Sequence, residues 1–430
     1  MKHSSPSARS IALDCLDAVI HRHQALDETL AVHNDLSRLE SRDRAFVRLL
    51  VTTVLRRTGQ MDALVSLWAP TPPSDTVQMI LRLGLAQILF LDTPPHAAVS
   101  TALDLAEERK EGHAKGFINA LLRRAVREGK AIVAVQDEAR LNMPAWLLES
   151  WTSAWGEKTA LEIARASLVE TSLDLSLVSP DQTEEWAGRL EAVALPTGTL
   201  RRAGGGLVTD LPGFSEGAWW VQDAAAALPV KLLGNIHGKT VVDLCAAPGG
   251  KTCQLAAAGG DIIAVDRSEK RMERVTENLA RLHLNARMVV ADAANWKPDS
   301  SVDAVLLDAP CTATGTIRRH PDIPWLKRPE DVAKLAVTQA RLLDAAVGML
   351  KPGGVLVYCV CSLQPEEGEH IIREALARHP SLTLQPVTAE ETGGLAEAVT
   401  PEGFLRTLPC HWPDRGGLDG FFAARVTSSS

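Results

Sequence analysis

Apolar residues recur at three- and four-residue intervals through the first 140 residues of the chain. A helix brings such positions onto one face, so the pattern predicts an all-helical (all-α) N-terminal domain over residues 1–140. Ser41 is predicted to cap one of these helices and Gly59 to end it. The clearest apolar stripes contain Ile11, Cys15, Leu16 and Val19, and then Phe46, Leu49, Leu50 and Val54.

The pattern changes after Pro144. Residues 172–178 alternate between apolar and polar side chains, as a half-buried strand does. Short helical stretches accompany this strand pattern. The mixture predicts a small α+β connecting subdomain over residues 141–230.

From residue 231 to residue 430, short apolar runs alternate with longer helical segments. Runs that are apolar on both faces and separated by helices are typical of a parallel sheet covered by helices on both sides. The predicted fold of this part is therefore α/β. The predicted strands are 240–244, 262–265, 288–291, 302–307 and 355–359, and the predicted helices include 269–282 and 330–350.

The chain carries a net charge of −8, which argues against a protein that coats nucleic acid without discrimination. Residues 1–150 hold 18 basic and 18 acidic side chains, so the whole excess of negative charge lies in the later part of the chain. Two basic groups in this part are interpreted either as solvated helix faces or as phosphate contacts, and the sequence leaves both open. They are Arg38, Arg42, Arg44, Arg48, Arg56 and Arg57, and then Arg123, Arg124, Arg127 and Lys130.

Seven cysteines are spread along the chain, and an odd number without a compact spacing favours reduced thiols over a disulfide framework. Cys359 and Cys361 form a C-x-C pair without a second pair of ligands, so no metal site is expected. The chain begins with polar residues and has no apolar stretch of about 18 residues, the length of a membrane span. We therefore expect a cytoplasmic protein that does not enter a membrane.

Unusual residues collect where the predicted strands end, which is where parallel sheets bind ligands. After the first strand, residues 243–252 read Asp-Leu-Cys-Ala-Ala-Pro-Gly-Gly-Lys-Thr, a run of small residues that lets a ligand approach the backbone. A phosphate loop would need glycine in place of Cys245, and a dinucleotide fingerprint needs more than the pair Gly249 and Gly250. The loop therefore predicts a nucleotide-like cofactor without specifying it.

Three further strands each end in or near an aspartate. Asp266 lies about twenty residues after the loop, the spacing at which an acidic side chain receives ribose hydroxyls. Asp292 follows the third strand, where it could meet an adenine edge, and Asp308 closes the fourth. One such aspartate is more often a helix cap, but three in register favour a binding site.

Two of the predicted strands also deliver thiols to this edge. Cys311 follows Asp308 closely, and Cys361 follows the fifth strand and precedes a helix. Cys361 should lie at a mouth where its thiolate is stabilised, whereas the other cysteines of the chain, apart from the loop residue, are interpreted as small buried apolar residues. Those are Cys15, Cys253, Cys359 and Cys410.

Three motifs, in this order, resemble those of the RNA cytosine-5 methyltransferases of the Sun group. They are the loop at 243–252, Leu-Asp-Ala-Pro-Cys at 307–311 and Tyr-x-x-Cys-Ser-x-x-x-Glu-Glu at 358–367. Trp-Trp-Val-Gln-Asp at 219–223 and Asp-Gly-Phe-Phe at 419–422 make the bacterial members that act on 16S ribosomal RNA the most similar. The helical N-terminal part resembles the NusB fold. The resemblance implies a Rossmann-like catalytic domain over residues 231–430 that depends on S-adenosyl-L-methionine.

The resemblance also implies individual roles in methyl transfer to carbon 5 of cytosine. Cys361 is the nucleophile that attacks carbon 6, Asp308 supports ring nitrogen N3 as an acid or hydrogen-bond partner, and Cys311 assists release. Asp266 binds the ribose and Asp292 lies near the adenine, with Asp308 also beside the cofactor. The residues expected to wrap S-adenosyl-L-methionine are Cys245, Ala246, Ala247, Pro248, Gly249, Gly250 and Lys251.

Several alternatives stay open. DNA cytosine-5 methyltransferases use the cysteine of a Pro-Cys motif, which here is Cys311, and Val360 stands where related enzymes often carry threonine. The substrate is either 16S ribosomal RNA, free or in an early assembly intermediate, or transfer RNA, and a non-catalytic assembly factor would share the fold. Arg318, Arg319 and His320 are interpreted as contacts to the target nucleotide or as a plain surface loop. We expect a monomer.

Overall fold

Contacts within the chain divide it into two units. The computed structural model describes residues 7–204 and 207–429. The first unit ends at Val169 and also takes in Arg319–Arg328, and the second comprises Glu170–Arg318 and the chain from Pro329 onward. The predicted boundary lies at residue 140, whereas the change of unit in the structure follows Val169.

The first unit is all-helical, as the periodicity predicts. Ser7 and Ser74 cap two of its helices, each accepting a hydrogen bond from a backbone N–H three residues later, and Ile11, Leu50 and Ile80 are among the fully buried residues of its core. The helices are α1 (Ala8–Ile20), α2 (Leu26–Val32), α3 (Ser41–Trp68), α4 (Asp75–Leu89), α5 (Pro95–Glu108), α6 (Lys115–Arg124), α7 (Lys130–Val133), α8 (Glu138–Asn142) and α9 (Ala145–Ser167).

The predicted ends of one helix need correction. α3 begins at Ser41, but its N-cap residue is Glu40, and the helix continues through Gly59 to Trp68. A Cβ on Gly59 would lie 1.7 Å from the carbonyl oxygen of Leu141 in α8. Glycine is therefore present at this position because α8 packs closely against α3, and not because the helix stops.

The predicted connecting subdomain is a small antiparallel sheet with one helix. Its strands are β1 (Leu173–Leu177), β2 (Ala192–Ala194), β3 (Leu200–Arg202) and β4 (Trp219–Val221), in the order β2-β3-β1-β4. All neighbours are antiparallel, and α10 (Thr183–Arg189) follows β1. The subdomain has its own core around Leu175, Leu200 and Trp219.

The C-terminal part is an α/β fold around a mixed sheet, which confirms the predicted Rossmann-like class. The order is β10-β12-β9-β8-β5-β6-β7, with β11 paired to β12. The five strands from β5 to β9 are parallel and β12 is antiparallel to β9. The strands are β5 (Thr240–Leu244), β6 (Asp261–Asp266), β7 (Arg287–Val290), β8 (Val302–Asp308), β9 (Leu350–Val360), β10 (Leu382–Leu384), β11 (Leu405–Thr407) and β12 (Phe421–Ser428).

Helices connect these strands. α13 shows why they pack on the sheet: Ser268 caps it, and Met272, Val275 and Leu279 form a buried apolar face on an otherwise charged sequence. Within residues 7–204 and 207–429, no helix combines the length and the apolar character needed to cross a bilayer. The helices are α11 (Leu228–Lys231), α12 (Gly250–Ala257), α13 (Glu269–Arg281), α14 (Ile323–Leu326), α15 (Pro329–Val347) and α16 (Glu369–Arg378).

The short segment 319–328, which contains α14, is part of the helical unit although it lies between β8 and β9 in sequence. Oδ2 of Asp322 accepts a hydrogen bond from the N–H of Leu26 at 2.9 Å. The carbonyl oxygen of Trp325 lies 3.1 Å from Nδ1 of His23. No periodicity in the sequence predicted this placement, since it depends on contacts between distant segments.

Candidate active site

Three parallel strand ends meet where the strand order of the sheet reverses. β5 is flanked by β6 on one side and β8 on the other, both parallel to it. Asp243 lies in β5, and Asp266 and Asp308 are the last residues of β6 and β8. Because parallel strands end at the same edge, the segments that follow them emerge together.

The 245–251 loop turns sharply from β5 into α12. Cys245 has φ 62° and Gly249 has φ 101°, a backbone conformation that favours glycine. A Cβ on Gly249 would lie 2.9 Å from Cγ1 of Val275 in α13. A Cβ on Gly250 would meet only open space. The loop is therefore pressed against α13 on one side, while the start of α12 leaves room for a ligand near its amides.

Asp266 holds this loop from the neighbouring strand. Asp266 is 2% exposed, and its carboxylate accepts hydrogen bonds from the N–H groups of Ala247 at 3.2 Å and Ser268 at 2.9 Å. Nη1 of Arg271 lies 3.7 Å from Oδ2 of Asp266, and the same guanidinium donates to the carbonyl oxygen of Ala247. The carboxylate orders the loop and, with about four acceptor positions in all, has capacity left for ligand hydroxyls.

Asp292 is placed differently. It follows the edge strand β7 at the surface, and its carboxylate accepts hydrogen bonds from the N–H of Ala294 at 3.1 Å and from Nδ2 of Asn295 at 2.7 Å. These are the bonds of an aspartate that stabilises a turn. Asp292 therefore acts as a single aspartate at a strand end usually does, by capping the segment that follows, whereas Asp266 holds the 245–251 loop.

Lys251 connects the 245–251 loop to the end of β8. Its Nζ lies 2.7 Å from Oδ2 of Asp308 and 4.8 Å from the centre of the Phe421 ring. Burial alone would lower the pKa of Lys251, but the charge of Asp308 and the hydrogen bond between the two side chains raise it on balance. The buried ammonium therefore keeps its proton.

Asp243 is a buried carboxyl group at the foot of the loop. Oδ2 accepts a hydrogen bond from the Thr252 hydroxyl at 2.6 Å, whereas Oδ1 has no hydrogen-bond partner among residues 7–204 and 207–429. Burial raises the pKa of Asp243 to about 7, against the opposing hydrogen bond from Thr252. The sequence presented this residue only as the start of a small-residue run, so its unusual titration was not predicted.

The two cysteines with predicted roles are in contact. Sγ of Cys311 lies 3.5 Å from Sγ of Cys361, and the N–H of Gly315 donates to the carbonyl oxygen of Cys361 at 2.9 Å. The pKa of Cys311 is raised well above its ordinary value. The hydrogen bond with Cys361 is the main cause, followed by burial and by the charges of Cys361 and Glu367.

Two further cysteines border this group but are disfavoured as thiolates. Cys359 is buried with Sγ 3.5 Å from Oδ1 of Asp308, and burial together with that charge raises its pKa. Burial, with the charges of Asp308 and Asp266, raises the pKa of Cys245 to about 12. Both thiols therefore stay protonated at neutral pH, as expected for Cys359 from its apolar surroundings.

A buried polar cluster that no sequence pattern predicted lies beside the thiols. Thr312 and Ser362 are the residues directly after the two cysteines, and their hydroxyls donate to the carboxylate of Glu367 at 2.5 Å each. All three side chains are inaccessible to solvent. The Glu-Glu end of the third motif was the available signal, but it did not show that Glu366 is exposed and Glu367 buried.

Arg318 does not face a substrate. It is 3% exposed and donates to the carbonyl oxygens of Gly416 and Leu418, both at 2.8 Å. The interpretation of Arg318 as a contact to the target nucleotide is therefore wrong, because its guanidinium is used to fasten a neighbouring loop. Arg319 and His320 belong to the segment of the helical unit described above.

Several residues of the two basic groups in the helical unit form ion pairs there. Exposed pairs of this kind are usual on solvated helix faces and contribute little to stability. They leave both interpretations of these groups open, since a surface pair can exchange its carboxylate for a phosphate. The pairs are Arg38–Asp35, Arg48–Asp27, Arg57–Glu138, Arg124–Glu128 and Lys130–Asp92.

The residues around the 245–251 loop fit the predicted cofactor. The buried Oδ1 of Asp243 without a partner in the described part of the chain, the open space beside Gly250 and the remaining acceptor capacity of Asp266 lie around one loop. A carboxylate suits ribose hydroxyls, and a second one suits a positively charged group. S-adenosyl-L-methionine carries both features.

Comparisons with known proteins agree with this geometry. The family model described as 16S rRNA methyltransferase RsmB/F matches residues 230–427, and the NusB family model matches residues 6–127. The chain is 37% identical over 394 residues to ribosomal RNA small subunit methyltransferase B of Klebsiella pneumoniae, covering 87% of this chain and 91% of that protein. The protein of that name from Cronobacter sakazakii is 35% identical over 423 residues, covering 93% and 98%. The solved structure of a methyltransferase homolog protein from Pyrococcus horikoshii aligns with a TM-score of 0.56 at 28% identity, covering 68% of this chain and 97% of that one.

Proposed function

This chain belongs to the 16S rRNA methyltransferase RsmB/F family, and we propose that it transfers a methyl group from S-adenosyl-L-methionine to carbon 5 of a cytosine in 16S ribosomal RNA. The observation that carries the proposal is the 3.5 Å contact between the thiols of Cys311 and Cys361. The ion pair of Lys251 and Asp308 lies at the same edge of the sheet. Two thiols and a proton-bearing pair are the groups that this reaction requires.

The first step uses Cys361. Carbon 5 of cytosine is a weak nucleophile, and addition of a thiolate to carbon 6 makes the ring enamine-like. A bond forms between Sγ of Cys361 and carbon 6, the C5–C6 double bond opens, and N3 receives a proton. Asp308 takes up that proton from solvent and gives it to N3 as acid and hydrogen-bond partner, while Lys251 keeps its own proton and holds the carboxyl group at 2.7 Å. When bound, S-adenosyl-L-methionine supplies the methyl group.

The last step uses Cys311. After methylation the proton on carbon 5 must leave, so that the C5–C6 double bond re-forms and the bond from carbon 6 to Cys361 breaks. Cys311 is placed to accept that proton, directly or through water, because its thiol touches that of Cys361. Its raised pKa keeps Cys311 protonated in the resting site, so it must first lose that proton to water, and the thiolate that results is a strong base.

The test is methyl transfer from labelled S-adenosyl-L-methionine to 16S ribosomal RNA and to transfer RNA. We expect wild-type protein to label carbon 5 of a cytosine in 16S RNA and Cys361→Ala to transfer nothing. Cys311→Ala should accumulate a covalent protein–RNA complex, because release is slowed. Cys410→Ala, which removes a thiol outside the contacting pair, should retain activity. If Cys361→Ala keeps activity and Cys311→Ala loses it, the cysteine roles are reversed.

The same assay separates the other functions. Label on transfer RNA and none on 16S RNA would show that the substrate is transfer RNA and that the reaction is the one proposed. No transfer to either RNA, with measurable binding of S-adenosyl-L-methionine, would favour a non-catalytic assembly factor. The names of the two relatives above support 16S RNA as the first substrate to test.

The proposal keeps the remaining expectations from the sequence. These are a helical RNA-binding domain over residues 1–140, a connecting subdomain over 141–230, a catalytic domain over 231–430, and a cytoplasmic monomer that acts on free RNA or an early assembly intermediate. Cofactor titration of Asp266→Asn and sedimentation of the full chain test two of these expectations directly.

A further inference from the structure

Glu367 lies in the turn that follows β9 and has no solvent exposure. A buried carboxylate is costly unless its oxygens are hydrogen-bonded. The neighbouring Glu366 carries the same group at the surface. The reaction proposed above assigns nothing to Glu367, so its burial needs an explanation.

Four donors converge on this one carboxylate. Oε1 accepts from the N–H of Thr312 at 2.9 Å and from Nε2 of Gln339 at 3.0 Å. Oε2 accepts from the hydroxyls of Thr312 and Ser362, both at 2.5 Å. Each hydroxyl has a single proton, and both protons point to Glu367. About four acceptor positions exist on a carboxylate, so this group is fully used.

Two of these partners are neighbours of the two cysteines in the sequence. Thr312 directly follows Cys311, and Ser362 directly follows Cys361. Glu367 therefore ties together the backbone segments that carry the two thiols, which are 50 positions apart in sequence. Gln339 completes a hydrogen-bonded frame that consists of Glu367, Thr312, Ser362 and Gln339. Its Nε2 also donates to the carbonyl oxygen of Pro310 at 2.9 Å.

The frame is itself anchored to the sheet and to a neighbouring cation. The Tyr358 hydroxyl donates to the carbonyl oxygen of Glu367 at 2.6 Å. Nη1 of Arg406 donates to the carbonyl oxygen of Ser362 at 2.6 Å, while the same guanidinium pairs with Glu369. Glu367 is therefore fixed by its own backbone, and the thiols are fixed through Glu367.

We propose that Glu367 is a positioning residue that holds Cys311 and Cys361 in contact by binding the residue after each of them. This inference rests on the proposed function, in which Cys361 forms the adduct and Cys311 assists its release. Adduct formation needs Cys361 alone, whereas release needs both thiols close together. Loss of Glu367 therefore slows release more than adduct formation.

Three substitutions in the full-length protein separate positioning from folding. Glu367→Ala removes all four hydrogen bonds. Glu367→Gln keeps the shape and four contacts, because its amide oxygen accepts from the two N–H donors and its NH2 group donates to the two hydroxyls. Glu366→Gln is the matched control, with the same change one residue away on the surface.

We expect Glu367→Ala to lower kcat about 100-fold, the size of effect that a displacement of about 1 Å produces. Its KM for S-adenosyl-L-methionine should stay within about twofold, since the hydrogen bonds of Glu367 in the described part of the chain go to Thr312, Ser362 and Gln339 and not to the 245–251 loop. On 16S RNA it should accumulate the denaturant-resistant protein–RNA complex, as Cys311→Ala does. Glu367→Gln should recover most of kcat, and Glu366→Gln should match wild type.

Normal turnover by Glu367→Ala would overturn the proposal, and so would a Glu367→Gln variant that is as slow as Glu367→Ala with the same thermal stability. If Glu367→Ala does not fold, the comparison of Glu367→Gln with Ser362→Ala decides, because Ser362→Ala removes one bond of the frame. In that comparison, adduct accumulation in Ser362→Ala but not in Glu367→Gln supports the proposal, and its absence in both overturns it. Activity of Cys361→Ala, measured in parallel, would reject the proposed function itself.

Discussion

The 245–251 loop and the thiol centre (Cys311, Cys361 and Glu367) lie at one edge of one sheet but are built in opposite ways. The loop is a continuous stretch whose shape depends on backbone conformation and on N–H groups held by Asp266. The thiol centre joins segments 50 positions apart through buried side-chain hydrogen bonds. The loop should therefore be sensitive to added volume, and the thiol centre to the loss of polar atoms.

The largest effect is expected where the two regions meet, at Lys251. Lys251→Met leaves the partly buried carboxylate of Asp308, whose side chain is 31% exposed, without its partner, which costs about 1–3 kcal/mol of stability. The variant should also lose methyl transfer by about 1000-fold, within the range for a general acid, here Asp308, that is no longer held in place. Single-turnover transfer and urea unfolding measure the two losses.

Lys351→Met is the matched control for that experiment. Its Nζ also pairs with a carboxylate, that of Asp303 at 2.8 Å, but the Lys351 side chain is 46% exposed whereas that of Lys251 is 10% exposed. Such pairs contribute about 0–1 kcal/mol. If Lys251→Met is as stable and as active as Lys351→Met, then the loop and the thiol centre are not linked through the ion pair with Asp308.

The next effect concerns Asp243, a loop-side residue that is buried like Glu367. Its pKa is raised from 3.8 to about 7, so between these values the folded protein holds a proton that the unfolded chain releases. Wild-type stability therefore decreases as the pH rises through this window, by up to about 1.4 kcal/mol per pH unit. Asp243→Asn has no such proton.

Urea unfolding from pH 4 to pH 7 measures this effect. The free energy of unfolding of wild type relative to Asp243→Asn should fall steadily across the range. Contributions from other titrating groups are common to both proteins and cancel in the difference. A difference that stays constant with pH would show that Asp243 has an ordinary pKa. The cost of burying its carboxylate would then be offset by something other than protonation.

The contrast between the two regions also explains what the sequence could predict. The strands, the 245–251 loop and the pairing of Asp308 with a thiol segment follow from apolar runs and residue spacing, because each is a local pattern repeated along a parallel sheet. Glu367 could not be found this way, since an exposed and a buried glutamate stand side by side in the motif. Burial is decided by tertiary packing.

The errors have the same origin. Gly59 was predicted to end a helix because glycine is a poor helix former, but close packing against Leu141 requires glycine at this position. Arg318 follows the Pro-Cys motif and is interpreted as a substrate contact or as part of a surface loop, yet it binds two carbonyl oxygens in the interior. Segment 319–328 joins the helical unit through contacts with residues near the start of the chain. Each error concerns a long-range contact that a local pattern does not contain.

A smaller effect is expected from added volume in the loop. Gly249→Ala forces a Cβ to 2.9 Å from Val275 at φ 101°, which costs about 1–3 kcal/mol. Gly250→Ala is the matched substitution, because its Cβ meets only open space. Thermal unfolding should therefore rank Gly249→Ala well below Gly250→Ala. Equal stabilities would show that the loop tolerates volume and that the contrast with the thiol centre is wrong.

The smallest effect is expected at Asp292, and it defines how far the loop region extends. Its carboxylate is exposed and serves a turn through Ala294 and Asn295, so Asp292→Asn should change the Kd for S-adenosyl-L-methionine less than about threefold, the size of one exposed hydrogen bond. Asp266→Asn is the reference, because that buried carboxylate orders the loop, and it should weaken binding clearly more. Calorimetric titration of both variants decides between two extents of the site. If Asp292→Asn weakens binding as much as Asp266→Asn, the cofactor reaches across to β7 and the adenine role predicted for Asp292 is correct.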